Sequence, residues 1–483
     1  MTRTTRLIGC FGLSLALAAM LTLTPLLEVV RAATVSVINA IQFRSTSGAA
    51  LQAHGGGMIK VGAYYYWFGE NRDGTNLVSA YRSTDLKNWE FRAHVLRKDM
   101  GGELATANIE RPKVLFNALT GDYVLWMHKE NGVDYGEARV AVAASTNIEG
   151  PYVYFGSFRP LGFDSRDMTV YNDNGTGYLI SATRVNADMN VYRLSPDFQG
   201  VEELVHTLWP GQYREAPAMF KRGSTYFLVT SGATGWNPNQ AKYATASSVG
   251  GTWSGLVNFA DATTYGSQST CVIPVQGSST TSYLYMGDRW AGAWSGPVND
   301  SKYVWLPLAF PTSTSLSMTW YPSLNIDTAT GAVTGVPFAV DPAASYEIVS
   351  RKSNKLLTVR GNSTATGADA EQRTDANLSS QRWRLASAGS GYYKIQNVNS
   401  GLILGVAGGS GADGTVIEQW TDGGWTSQHW QLVSAGGGFY ELRNRATTKV
   451  IDVSGGSLAD GANVIQWTDN GGPNQQWQIV LAN

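Results

Sequence analysis

Between about residue 35 and residue 337, hydrophobic positions come in short runs that alternate with polar ones, and no long stretch repeats with helical period. Such alternation puts apolar side chains on one face of a strand. Five runs share a signature: a small or polar turn, then tyrosine, then alternating apolar residues. They are Gly62–Phe68, Gly121–Met127, Gly177–Ser181, Ser224–Val229 and Ser282–Met286. Their tyrosines (Tyr65, Tyr123, Tyr178, Tyr226 and Tyr283) stand 58, 55, 48 and 57 residues apart. Each interval is long enough for one four-stranded sheet, so the pattern predicts an all-β fold with a five-bladed β-propeller. A second motif follows three of these runs at Ser83-Thr84-Asp85-Leu86 with Trp89, at Ser145 with Gly150-Pro151-Tyr152, and at Ser247-Ser248 with Gly251 and Trp253. It reads as an outer hairpin with an aromatic wedge.

The pattern changes at Val336–Pro342, which reads as a short linker. Beyond it, three copies of a unit end in Gln381-Arg382-Trp383, Gln428-His429-Trp430 and Gln475-Gln476-Trp477, with 47 residues between successive tryptophans. These repeats resemble the ricin-type lectins of carbohydrate-binding module family 13. The resemblance implies a β-trefoil in which the tryptophan packs a threefold core and the glutamine bonds the backbone. It also implies that a sugar-binding copy has an early aspartate, a stacking aromatic, and Asn or Gln before the core tryptophan. The third copy has these as Asp452, Trp467, Asn474 and Gln475. The aspartate position reads Thr358 in the first copy and Gly405 in the second, which keeps Trp420 and Trp425. The expected layout is a signal peptide over residues 1–32, a propeller over 33–340 and a trefoil over 343–483.

Arg3 and Arg6, the apolar Leu7–Leu23 and the small-residue site at Val30-Arg31-Ala32 form the signal, which predicts a secreted, extracellular protein. No other stretch has the roughly 18 apolar residues a membrane span needs, so no membrane partner is expected. Cys10 lies in the signal and Cys271 remains, in the apolar run Cys271-Val272-Ile273, so no intrachain disulfide is expected. A net charge of −1 with 15% charged residues argues against a nucleic-acid partner. The 16 Trp and 23 Tyr suit stacking on sugar rings instead.

Counting back from each repeat tyrosine locates the candidate chemistry. His54, Asp167 and Glu215 each lie 11 residues before theirs, Glu110 lies 13 before and Gln268 15 before. Each blade thus carries a polar residue in similar phase, and inner strands would bring them to one mouth of a central channel. Glu215, between Arg214 and Ala216-Pro217, is placed where burial raises a carboxyl pKa, as a proton donor near neutral pH requires. Two carboxyls and a proton donor meeting there make the constellation of glycoside hydrolysis, which needs no cofactor. One histidine and scattered carboxylates without close ligand spacing predict no metal.

These residues resemble glycoside hydrolase family 43. Ser165-Arg166-Asp167 with Asn172-Asp173-Asn174-Gly175 matches the family segment whose aspartate tunes the acid, and Arg214-Glu215-Ala216-Pro217 matches the general-acid segment. Where the family has a blade-one aspartate as base, this chain has His54, in Ala53-His54-Gly55-Gly56-Gly57. That departure, with Trp67-Phe68-Gly69-Glu70-Asn71, Ile109-Glu110-Arg111-Pro112-Lys113 and Gly266-Ser267-Gln268-Ser269-Thr270, resembles the exo-β-1,3-galactanase branch. The resemblance implies that Gln268 takes the base position and that Glu70, Glu110, Arg111, Tyr135 and Thr234 contact substrate. A neutral amide serves as base only through its imidic tautomer, or else positions water while another group takes the proton. Gln268, His54 and Glu110 all remain candidates for the base. Each residue also has a plainer role: Glu110–Arg111 as an ion pair, Asp167 as a turn cap or partner of Arg166, His54 as a backbone-bonding wall residue.

The expectation is a monomeric, inverting exo-glycosidase that releases galactose from β-1,3-galactan or arabinogalactan, with no cofactor. The alternatives are an α-L-arabinofuranosidase or β-xylosidase of the same fold, and a non-catalytic sugar-binding protein.

Overall fold

The computed structural model describes residues 34–482 and the first two residues; the expected signal lies outside the described residues. Among the described residues there is no α-helix, only strands and short 3-10 turns. The protein is all-β.

Five four-stranded antiparallel sheets follow one another along the chain, each with its strands in sequence order. Their first strands are β1 (His54–Val61), β2 (Asn108–Phe116), β3 (Met168–Asp173), β4 (Arg214–Arg222) and β5 (Gln268–Gln276). Each packs against the next, and β5 packs back against β1, so the five inner strands close a ring. The sheets are hydrophobic on both faces because each is sandwiched between two others. Five apolar clusters fill the gaps, for example Phe68, Val78, Leu125 and Ala141 between the first two sheets and Tyr65, Trp67, Ile273 and Trp305 between the fifth and the first. The repeat tyrosines occupy equivalent places on the second strands, paired with Lys60, Phe116, Tyr171, Lys221 and Pro274 at the ends of the inner strands.

Strand Val35–Ile38 pairs with Ser323–Asp327 in a separate three-stranded sheet. Its Val37, with Leu324 and Ile326, joins the cluster between the fifth and first sheets. The sequence pattern gave no sign of this closure.

The inner strands are bulged where their chemistry sits. Pairing slips between His54 and Gly57, Glu110 and Lys113, and Glu215 and Ala218. In each case the residue after the polar one is left-handed: Gly55 (φ 58°), Arg111 (55°) and Ala216 (52°). A bulge re-aims the side chain before it. Behind the bulge, Lys113 reaches from β2 to the neighbouring β1, its Nζ donating to Gly55 O at 2.6 Å. A Cβ on Gly57 would lie 2.3 Å from the Lys113 Cδ, so glycine makes room for the lysine stem. Burial brings the ammonium down to about 7. Lys113 thus ties the first two inner strands together behind the bulges.

The twelve strands between Tyr346 and Leu481 form one sheet, whose last strand, Trp477–Leu481, pairs with its first, Tyr346–Ser350. Trp383, Trp430 and Trp477 are fully buried, and their indoles donate to Leu357 O, Leu404 O and Ile451 O at 2.9, 2.9 and 3.1 Å. Gln381, Gln428 and Gln475 donate to Thr374 O, Thr421 O and Thr468 O in the same threefold manner. The packing of this unit begins earlier than residue 343: Phe338 lies against Tyr346 and Tyr440, so the expected linker is partly core.

Candidate active site

The polar ends of the inner strands line a cavity of about 300 Å³. Glu110, Arg111, Asp167, Glu215 and Gln268 reach it from β2, the residue before β3, β4 and β5. Glu70 and Tyr135 also line it.

Glu215 is 9% exposed. Burial first, then the nearby charge of Asp167, pushes its carboxyl up to about 8. Its Oε2 accepts from Asn186 Nδ2 at 3.0 Å and its Oε1 from Gln268 Nε2 at 2.9 Å. Asp167 Oδ2 accepts from the Ala216 backbone N–H at 3.0 Å and pairs with Arg111 at 2.8 Å. The left-handed turn at Ala216 aims that N–H at Asp167, so the bulge fixes the pair in register. A carboxyl that holds its proton through neutrality, with a second carboxyl fixed beside it, is suited to giving that proton to a leaving group.

Gln268, expected at the base position, lies in the cavity within hydrogen-bond reach of Glu215. Two carboxyl-like groups flanking a sugar with an attacking water between them lie roughly 6.5–9.5 Å apart, whereas Gln268 touches Glu215. The cause is topological: β4 and β5 are neighbours in the ring, so their first side chains meet edge to edge. The Gln268 Nε2 also donates to Ser231 Oγ at 2.9 Å, and its Oε1 accepts from Trp290 Nε1 at 2.7 Å and from Arg111. With two N–H groups aimed at it, that oxygen has no place for the hydrogen of an imidic acid.

Glu110 lies on β2, not adjacent to β4. Its Oε1 accepts from Arg72, Tyr135 and Asn108, each at 2.8 Å, and its Oε2 lies 3.4 Å from His128 Nδ1. Although burial opposes ionisation, His128, Arg72 and Tyr135 together hold its carboxyl well below the ordinary range. Burial also works against a charged His128, but Glu110 and Glu130 outweigh it and raise the imidazole to about 9. Glu70, 2% exposed, is raised by burial while Arg72 pairs with it at 2.8 Å. Glu110, His128 and Asp167 offer ligand atoms within 4.8 Å of one another, the one such set among the described residues. The sequence, where His128 is distant from either acid, gave no hint of it.

Two expected site residues, His54 and Thr234, lie outside the cavity. His54 is fully buried, stacked on Tyr303 at 4.8 Å, with Nδ1 3.2 Å from Asp288. The bulge after it points the imidazole into the wall between the first and fifth sheets. Thr234 does not line the cavity either; its hydroxyl donates to Asn237 O at 2.6 Å and accepts from Asn239. Its neighbours Ala233, Gly235 and Trp236 do line the cavity. Residues that sequence reading missed are Arg72, His128, Arg166, Asn186, Trp236 and Trp290. Trp236, 39% exposed, meets Trp290 edge to face at 5.5 Å and forms an indole wall at the mouth.

In the C-terminal unit, Asp452 Oδ2 accepts from Asn474 and Gln475, each at 2.9 Å, beside Trp467, which is 41% exposed. The second copy holds a cavity of about 390 Å³ lined by Gly405, Glu418, Trp420, Trp425, Ser427 and Gln428. Glycine in place of the expected aspartate leaves that cleft open.

A buried carboxyl with a raised pKa beside a second carboxyl, in a cavity walled by indoles, suits the chemistry of a glycoside hydrolase. Residues 53–264 match the model of glycosyl hydrolases family 43, and residues 338–420 and 426–483 match that of the ricin-type beta-trefoil lectin domain-like proteins. The chain belongs to glycoside hydrolase family 43 and carries a ricin-type domain. Among solved structures it is similar to an exo-β-1,3-galactanase from Clostridium thermocellum, with 48% identity, a TM-score of 0.63, and 92% of this chain and 99% of that one covered. It is also similar to an exo-β-1,3-galactanase from Phanerochaete chrysosporium solved with β-1,3-galactotriose, with 27% identity, a TM-score of 0.61 and coverages of 92% and 93%. A family 43 β-1,3-galactosidase matches at 29% identity and a TM-score of 0.57 over 92% of this chain and 94% of that one. No curated protein matches the chain.

Proposed function

We propose that the protein is an exported, inverting exo-β-1,3-galactanase, built as a five-bladed propeller followed by a β-trefoil. The observation that carries the reading is Glu215, held protonated by burial and Asp167 in a cavity walled by Trp236 and Trp290. The similarity to exo-β-1,3-galactanases supports attack at a chain end. The terminal galactose enters against the Trp236–Trp290 wall, and Glu215 protonates the glycosidic oxygen as the bond breaks. The sugar parts Gln268 from Glu215, and the freed amide N–H orients water on the opposite face. Glu110, ionised and two strands round the ring from Glu215, accepts the proton. The similarity to galactanases supports galactan as substrate. The trefoil holds the polymer through Asp452, Trp467, Asn474 and Gln475, with the Trp420–Trp425 cleft as a second hold.

The test is incubation with β-1,3-galactan under NMR observation. Galactose released first as the α-anomer supports the reading. Release of arabinose or xylose from other substrates, with galactan untouched, moves the protein to the arabinofuranosidase and xylosidase group. No hydrolysis with retained sugar binding makes it a lectin.

A further inference from the structure

Arg289 ends the second strand of the fifth sheet and is 3% exposed, yet none of the hydrogen bonds of its guanidinium goes to a carboxylate. Its Nη1 donates to Gln478 Oε1 at 2.6 Å and its Nη2 to Tyr265 O at 2.7 Å. The guanidinium lies 5.7 Å from the rings of both Trp320 and Phe439. Gln478 and Phe439 belong to the ricin-type unit; Tyr265, Trp320 and Arg289 belong to the ring of sheets. Other contacts also join the units: Trp294 Nε1 to Arg351 O at 3.4 Å, Lys302 Nζ to Asn354 Oδ1 at 3.0 Å, and Ile38 and Ile41 against Val349, Leu356 and Val480.

What Arg289 holds is the support of the active site. Tyr265 lies three residues before Gln268, and Trp290, the next residue after Arg289, gives the hydrogen bond that fixes the Gln268 carbonyl. The turn from Thr264 to Gly266 is strained, with Thr264 at φ 52° and Tyr265 at 57°. Non-glycine residues in that region cost on the order of 1–3 kcal/mol each and persist only where their surroundings over-determine them. Here the surroundings include a residue from the other unit.

We propose that the ricin-type unit is a working part of the active site: through Gln478 and Phe439 it seats Arg289, and Arg289 sets the Tyr265–Gln268 turn and Trp290, and so the Gln268 amide that meets Glu215 in the free protein and orients water once the sugar is bound. Arg289 and Gln478 are positioning residues and touch no substrate. The inference rests on Glu215 as the acid. If Gln478 is lost, the turn relaxes, the amide swings away, and Glu215 loses one of the hydrogen bonds that favour its ionised form. Its proton is then held to higher pH. The other charges that face Glu215 are Asp167, Arg111, Glu110 and the adjacent Arg214, and Gln478 touches none of them. Near Arg289 stand Arg351 and Asp261, neither of which reaches the cavity.

The experiment compares full-length Gln478→Ala, Gln478→Glu and Arg384→Ala with the wild type on soluble β-1,3-galactotriose. Gln478→Ala is expected to lower kcat on the order of 10-fold, the scale of a sub-ångström misplacement, with KM little changed and the basic limb of kcat/KM moved to higher pH. Gln478→Glu, which still accepts from Arg289, is expected to restore both, and Arg384→Ala, an exposed change in the same unit, to leave both as in the wild type. Phe439→Leu serves as the second variant should Gln478→Ala not fold, with the same loss expected. An unchanged kcat and basic limb in folded Gln478→Ala or Phe439→Leu overturns the proposal. A wild type that does not cleave galactotriose overturns the functional reading instead.

Discussion

At Glu215, burial and a neighbouring negative charge act in the same direction, and the hydrogen bonds from Asn186 and Gln268 oppose them without prevailing. Glu215→Gln is expected to cut turnover on galactan by roughly 10²–10⁴-fold, the usual contribution of a positioned proton donor. An aryl galactoside with a phenolic leaving group should lose far less, because it departs unprotonated; equal losses on both substrates would remove the acid assignment. The same carboxyl shapes stability. In the unfolded chain it ionises near about 4.3, and in the folded protein near 8, so between these values folding takes up a proton and its contribution to stability is lost as pH rises. Thermal melts across pH 4 to 8.5 should show the wild type losing Tm relative to Glu215→Gln, and parallel curves would contradict the raised pKa. For the base, Glu110→Gln should nearly abolish turnover, and azide should rescue it as a glycosyl azide of inverted configuration. His54→Ala should retain turnover in whatever fraction folds, since the imidazole faces the wall. Glu215, Asp167, Glu110 and Gln268 were legible because repeat phase places one polar residue on each inner strand. Arg72, Asn186, Trp236 and Trp290 were not, since they arrive on loops and outer positions that carry no phase. The His54 side chain was misplaced because a bulge changes direction without changing spacing.

The strands themselves follow from alternation and turns, and the five tyrosines mark equivalent positions because each opens a second strand opposite the end of an inner one. What alternation cannot announce is the slip in pairing just after the functional residue, since a bulge adds one residue to a strand that still reads as a strand. Ala216 is the sharpest case, being left-handed, 1% exposed, and bonded through its N–H to Asp167 and through its carbonyl to Ser269. A left-handed non-glycine residue costs about 1–2 kcal/mol, and glycine there would trade that cost for about 0.5–1 kcal/mol of lost chain freedom. Ala216→Gly should therefore stay within about 1 kcal/mol of wild type in urea unfolding. Ala216→Val, branched and overpacked, should lose about 2 kcal/mol or more. Equal stability of the two would mean that the bulge is not under strain. The strand Val35–Ile38 escaped the sequence reading for a different reason: its partner, Ser323–Asp327, is nearly the whole length of the first unit away.

Across the whole molecule, the two units share one job at different distances. Asp452→Ala should weaken attachment to insoluble galactan and slow its hydrolysis, while galactotriose is cleaved as before, because a second attachment point serves only a chain long enough to reach it. Pull-down on galactan beside galactotriose kinetics checks this; equal losses in both would tie Asp452 to the catalytic cavity. The threefold tryptophans made the second unit plain in the sequence, since each copy repeats the same buried indole and backbone bond. The seating of Arg289 by Gln478 was not visible, because neither residue belongs to a repeat signature. The indole wall of Trp236 and Trp290 at the cavity mouth bears on how the proposed exo-acting enzyme counts its substrate. An enzyme that works from chain ends takes tips and never the middle of a strand, so a long galactan and a short one of equal mass are not equal meals. The initial rate should scale with the number of molecules present rather than with their weight, and a solution of long chains should stay viscous while free sugar steadily accumulates.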